Sequence, residues 1–165
     1  MRITEQTQYD EQFAAAEEYL TDKGKQALRD AAVELYGDPW QLTIGEFVAV
    51  SQNDLSRLGD LTQPTVLQKY WIEAFRAFAE ELTKALDVLK MPQDAQEMAA
   101  AECMRKVSMA EGMLVFARSY FGLHSFAEAE KVTMLDYVMA KRDKYNSAIY
   151  QRRLAELRAK KYRKK

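Results

Sequence analysis

The chain has 165 residues, 48% of them hydrophobic and 30% charged, with a formal net charge of −1. That size and mix describe one folded domain able to bury a core, and they exclude a disordered chain. One cysteine and one histidine exclude a disulfide framework and any four-thiolate zinc site, and no apolar stretch reaches the roughly 18 residues needed to span a bilayer.

Alanine is the commonest residue, with 23 copies against four Ile and nine Val, and there are only three Pro and six Gly. This is helix composition, and the fold it implies is all-α. The first segment runs from about Thr4 to Tyr36. Tyr9, Phe13, Ala16, Leu20, Ala27, Ala31 and Leu35 recur at spacings of three and four, as on an amphipathic helix. Gly24 suggests a break or kink, and Gly37-Asp38-Pro39 stops the helix. Thr43-Ile44-Gly45-Glu46 reads as a capping box opening a short helix with Phe47, Val48 and Val50, which ends by Ser51. Residues 52–64 are polar and turn-rich, an exposed loop with one helical turn around Leu55 and Leu58.

After Pro64 the pattern is clearest. Leu67, Tyr70, Trp71, Ala74, Phe75, Phe78, Leu82, Ala85, Leu86 and Leu89 make a wide apolar face, closed by Met91-Pro92. Another helix is expected from Pro92-Gln93-Asp94 through Ala99, Cys103 and Val107, restarting or kinking at Ser108-Met109-Ala110-Glu111 and closing at Gly122. Ser125-Phe126-Ala127-Glu128 is a further capping box, and no breaker follows before Lys165. The last helix would then run close to 40 residues, roughly 60 Å at 1.5 Å per residue, with Leu135, Val138, Tyr145 and Ile149 on its inner stripe and its C-terminal third projecting. The expected architecture is a helical bundle of five to six helices with a long C-terminal helix. Residues 1–151 form the bundle and 152–165 a basic helical extension.

The charges are unevenly spread. Residues 152–165 carry Arg152, Arg153, Arg158, Lys160, Lys161, Arg163, Lys164 and Lys165 against Glu156 alone, a net of +7, while the other 151 residues sum to −8. The first 37 residues account for −4 of that. An acidic body with a basic tail points to a polyanion partner or to head-to-tail self-association, although a cationic helix end also complements the helix dipole and keeps the chain soluble.

Catalytic chemistry finds little footing. Carboxylate metal sites in helix bundles need Glu-x-x-His on two helices, and His124 has Phe121 three residues before it. Cys103 shares a face with Ala99, Ala100 and Val107, where a free cysteine is a small buried hydrophobe, and His124 sits in a turn as a capping or surface residue. The paired carboxylates Glu17-Glu18, Glu80-Glu81 and Glu128/Glu130 suit solvated helix faces, and phosphate loops of the types GxxxxGK[ST] and GxGxxG do not occur. No catalytic residue, cofactor or metal is expected. A helix-turn-helix over 43–61 would offer one basic residue, Arg57, on its second helix, too little for sequence-specific reading of DNA. The tail has only Leu154, Leu157 and Tyr162 as an apolar face, too narrow for a membrane surface. The aromatic runs Tyr70, Trp71, Phe75, Phe78 and Phe116, Tyr120, Phe121, Phe126, together with Met98, Met104, Met109, Met113, Met134 and Met139, are read as core filling.

The segment Gly112-Met113-Leu114-Val115-Phe116-Ala117-Arg118-Ser119-Tyr120-Phe121-Gly122-Leu123, followed by Ala127-Glu128-Ala129-Glu130 and Lys141-Arg142-Asp143-Lys144-Tyr145-Asn146, resembles small helical proteins of phage structural operons. Tail-assembly-chaperone-like and head–tail accessory proteins are the nearest comparison. The resemblance covers about the last 60 residues and rests on cadence. It implies a non-enzymatic assembly role, structural or chaperone-type, in the host cytoplasm or a virion, with a homo-oligomer or other assembly subunits as partners. The alternative expectation is a nucleic-acid-associated protein anchored non-specifically by the basic tail, whose cations would each neutralise a phosphate.

Overall fold

The computed structural model describes residues 20–62, 64–90 and 107–163, with backbone alone at 162 and 163. The expectations for Thr4–Ala16, for Met91-Pro92 and the helix after it with Cys103, and for Lys164 and Lys165 lie outside these residues. The described chain is all-α. Its one β feature is an isolated antiparallel bridge between Thr43 and Thr133.

Helix α1 spans Asp22–Tyr36. Thr21 caps it, its hydroxyl accepting from the Gly24 N–H at 3.2 Å, so the helix starts two residues before the glycine and runs through it. Gly37 ends it in a left-handed conformation (φ 93°), a region where only glycine is at ease, and donates to Val33 O at 2.8 Å. The Asp38 carboxylate then accepts from the Trp40 N–H at 2.9 Å and opens a 3-10 turn at Pro39–Gln41. Helix α2 (Ile44–Ser51) has the expected capping box: Thr43 N–H donates to the Glu46 carboxylate, and Glu46 N–H to the Thr43 hydroxyl.

Residues 52–64 contain the expected turn, at Ser56–Leu58, but this segment is not simply an exposed loop. Leu58 is buried in the core, and Gln68 reaches out of α3 to donate to Leu58 O at 2.7 Å and Asp60 O at 3.2 Å. Helix α3 (Val66–Val88) spans about 34 Å. It opens on a second capping box, Thr65 with Gln68, and ends at Val88. Its buried positions are Tyr70, Trp71, Phe75, Phe78 and Leu82, the centre of the expected stripe, together with Gln68, which lies outside that stripe.

Helix α4 (Met109–Tyr120) starts at the Ser108 cap, and Gly122 beyond it is left-handed at φ 66°. The single helix expected from Ser125 is two helices. Ser125 caps only α5 (Phe126–Ala129), and the long helix α6 runs Met134–Arg163, 30 residues and about 45 Å. The interruption has a tertiary cause. Ile44 N–H donates to Val132 O at 2.8 Å, Gly45 N–H to Glu130 O at 3.0 Å, and Met134 N–H to Leu42 O at 2.7 Å. Two of the donors that α2 leaves unpaired in its first turn thus find acceptors in the break. Thr133 restarts the chain as a helix by accepting from the Asp136 N–H at 3.1 Å. Gly45 packs closely on this break: a Cβ there would lie in contact with Glu130 Cβ at 3.4 Å.

The core joins α1, α2, α3, α4 and the start of α6 around an aromatic ladder. Trp71 stacks on Phe75, Phe47 meets Phe75 and Phe78, and Trp40 packs edge-on to Phe78 at 4.8 Å. The buried Trp71 indole donates to Gly37 O at 2.8 Å, tying the end of α1 to α3. The first aromatic run fills the core as expected. The second is less buried: Phe116 is half-buried and packed against the core, and Tyr120, Phe121 and Phe126 are exposed. Met113 and Met134 are core residues, Met109 and Met139 are exposed, and Met98 and Met104 lie outside the described residues.

Candidate interaction site on the C-terminal helix

The N-terminal half of α6 is anchored. Met134, Tyr137 and Ala140 are buried, and Val138, Lys141, Tyr145 and Ala148 are half-buried. The expected inner stripe of Leu135, Val138, Tyr145 and Ile149 is therefore half wrong. Leu135 and Ile149 are exposed, because the helix faces the body with a row centred on Tyr137 and Lys141.

Phe116 meets the Tyr137 ring edge-on at 5.5 Å, and the Lys141 ammonium sits 4.1 Å from the Phe116 centroid. Burial pushes the Tyr137 phenol up to about 12 and, with the neighbouring Lys144 charge, holds Lys141 below the usual lysine range. Tyr120 OH donates to the Asp143 carboxylate at 2.6 Å, which raises the Tyr120 pKa because the bond is lost on ionisation. Leu89, Phe116, Lys144, Tyr145 and Ala148 enclose a shallow cleft of about 280 Å³ where the helix leaves the body.

Beyond Ala148 the character of α6 changes. Every described side chain but Leu154 is exposed, with Tyr150 63% and Leu157 58% accessible. Of the eight expected cations, Arg152, Arg153, Arg158, Lys160 and Lys161 are described as exposed, Arg163 is helical backbone, and Lys164 and Lys165 lie outside the described residues. At about 100° per residue, Arg152, Arg153, Lys161 and Arg158 fall on four sides of the helix, so the positive charge surrounds it. Tyr150, Leu154 and Leu157 fall within about 60° of one another and make a narrow apolar strip among those cations. His124 is an exposed turn residue whose backbone N–H donates to the Glu128 carboxylate at 2.8 Å.

A second surface feature lies between α1 and α3. Between α1, the 3-10 turn at Pro39–Gln41 and α3 runs a cleft of about 430 Å³, floored by Trp40, Ala77 and Phe78. Asp30, Asp38, Glu73 and Glu81 rim it, with Arg29 the one cation in its lining, 3.7 Å from Glu73. Sequence reading saw only the acid excess of the first 37 residues. The cleft itself joins α1 and the 3-10 turn to α3, more than 30 residues further along the chain.

These surfaces define a class: an all-α protein with a cationic C-terminal helix and an acid-rimmed aromatic cleft. Comparison with protein-family models, with curated proteins and with solved structures gives no match.

Proposed function

We propose that the protein is a non-enzymatic interaction protein acting in macromolecular assembly, structural or chaperone-type, and that the C-terminal half of α6 docks on a protein partner. The observation that carries this reading is that α6 runs about 20 Å past Ala148 with every described side chain but that of Leu154 exposed, Tyr150 and Leu157 among them. An ordered helix of that length has lost chain entropy without burying apolar surface in exchange, and a partner would supply that burial. The cadence shared with small helical proteins of phage structural operons supports the same role, in the host cytoplasm or a virion.

The distribution of cations on all sides of the helix favours a second reading, non-specific association with nucleic acid, since a polyanion needs no particular face. One deletion separates the two. Removing residues 152–165 and measuring absolute mass by light scattering after nuclease treatment is expected to reduce assembly or partner association while the remaining chain stays helical. Unchanged association would overturn the protein-docking reading. Retention of DNA or RNA that the deletion abolishes and salt erodes steeply would establish the second reading in its place.

A further inference from the structure

On the reading of α6 as a docking helix, we infer that its partner is a second copy of this chain, and that the receiving surface is the cleft between α1 and α3. The two surfaces are complementary in charge. Four carboxylates and one guanidinium line the cleft, while residues 152–165 carry a net of +7. They also match in chemistry. Trp40 is half-buried, steadied edge-on by Phe78, and offers an aromatic face in a site rimmed by carboxylates, a setting suited to a guanidinium stacked on indole and paired with Asp30 or Glu81.

The spacing agrees too. Arg153 and Lys160 fall on one side of α6, about 10 Å apart along its axis, and Glu73 and Glu81 are about 12 Å apart along α3.

A chain cannot fill its own cleft while α6 is intact. The first turn of α6 is held at Leu42, two residues from Trp40, by the Met134 N–H to Leu42 O bond. Arg152 lies 18 residues further on, about 27 Å away along a straight helix. The tail of one copy is therefore directed away from its own cleft and toward that of a neighbour. Such a contact is heterologous, and its repetition gives rings or filaments.

Two full-length-based variants test this by complementation. One lacks residues 152–165. The other carries Asp30→Lys and Glu81→Lys, both at exposed positions, with Asp30→Asn and Glu81→Gln as the milder pair should the reversal disturb folding. At low salt the parent is expected to show a mass at least twice that of the 19.0 kDa monomer, and each variant alone that of the monomer. An equimolar mixture is expected to double in mass and stop there, since only one intact tail and one intact cleft remain per pair.

A mixture that stays monomeric overturns the inference, as does a monomeric parent. A cleft variant that assembles like the parent while the tail deletion does not overturns the inference and leaves the docking role of α6 standing. Assembly of the tail deletion like the parent removes both.

Discussion

Gln68 holds the 52–64 segment to the body, and its replacement has a cost that can be worked out. Its side chain makes three hydrogen bonds: the amide oxygen accepts from Thr65 N–H at 2.6 Å, and the amide nitrogen donates to Leu58 O at 2.7 Å and Asp60 O at 3.2 Å. The residue is 5% exposed, and among the described residues no buried polar side-chain atom lacks a partner. Gln68→Ala removes one arm of a capping box, about 1 kcal/mol, and leaves the Leu58 carbonyl without its donor, about 1–3 kcal/mol. Asp60 O is closer to water and adds little. The expected loss is about 3 kcal/mol, which at a urea slope of about 2 kcal/mol/M lowers the midpoint by about 1.5 M. Gln68→Glu keeps the shape and places a carboxylate against two carbonyl oxygens, so the folded state favours its protonated form and raises its pKa. Stability contributed by that neutral form is present at low pH and lost as pH rises through the folded pKa. Equilibrium unfolding of parent and both variants from pH 4 to 7 is the assay. A Gln68→Ala shift below about 0.3 M, or a Gln68→Glu deficit that does not shrink on acidification, would refute the reasoning.

Tyr137 gives a second pH effect of defined sign. Its phenol is raised to about 12 in the fold against about 10 in the unfolded chain, so the stability is full below pH 10 and lost as pH climbs toward 12. The difference between parent and Tyr137→Phe in thermal melts should change by on the order of 2 kcal/mol across that window, and a constant difference would contradict the burial of the phenol. Thr133→Ala removes the cap that restarts the chain as α6 and should cost about 1 kcal/mol, read as a fall in melting temperature; no fall would mean that the backbone bonds to Ile44 and Gly45 suffice. Tyr150→Ser with Leu157→Ser touches exposed positions only, so unfolding should move by less than about 0.5 kcal/mol while assembly measured by light scattering weakens. An intact assembly would assign docking to the cations alone.

How much was legible depended on the range of the interactions that decide each element. Gly37-Asp38-Pro39 and Thr43 with Glu46 act within four residues, and both are found where the sequence puts them. The apolar face of α3 is a local periodicity of ten side chains and could be read directly. The end of α5 could not, because its reason is that Ile44 and Gly45, more than 80 residues earlier, need the carbonyls of Val132 and Glu130. Thr133-x-x-Asp136 is a local start signal, but Ser125 offers an earlier one and nothing within a few residues ranks the two. The inward row of α6 includes Ala140 and Lys141, residues that hydrophobic pattern alone does not select. The tail cations were visible as a charge run. The acidic cleft was not, since Asp30, Trp40 and Glu81 meet only after α1 and α3 pack side by side.

The anchored half of α6 has a kinetic meaning as well as a static one. Starting a helix from coil carries a nucleation factor of about 10⁻³, roughly 4 kcal/mol, while extending an existing one adds a hydrogen bond for each residue fixed. Met134 to Ala148 is a permanent seed, and the segment after it grows from that seed by propagation alone. Helicity should therefore decline smoothly toward Arg163 instead of switching on and off as a unit. Amide hydrogen exchange should show protection falling turn by turn along α6, and a bound partner should flatten that slope most at the tip.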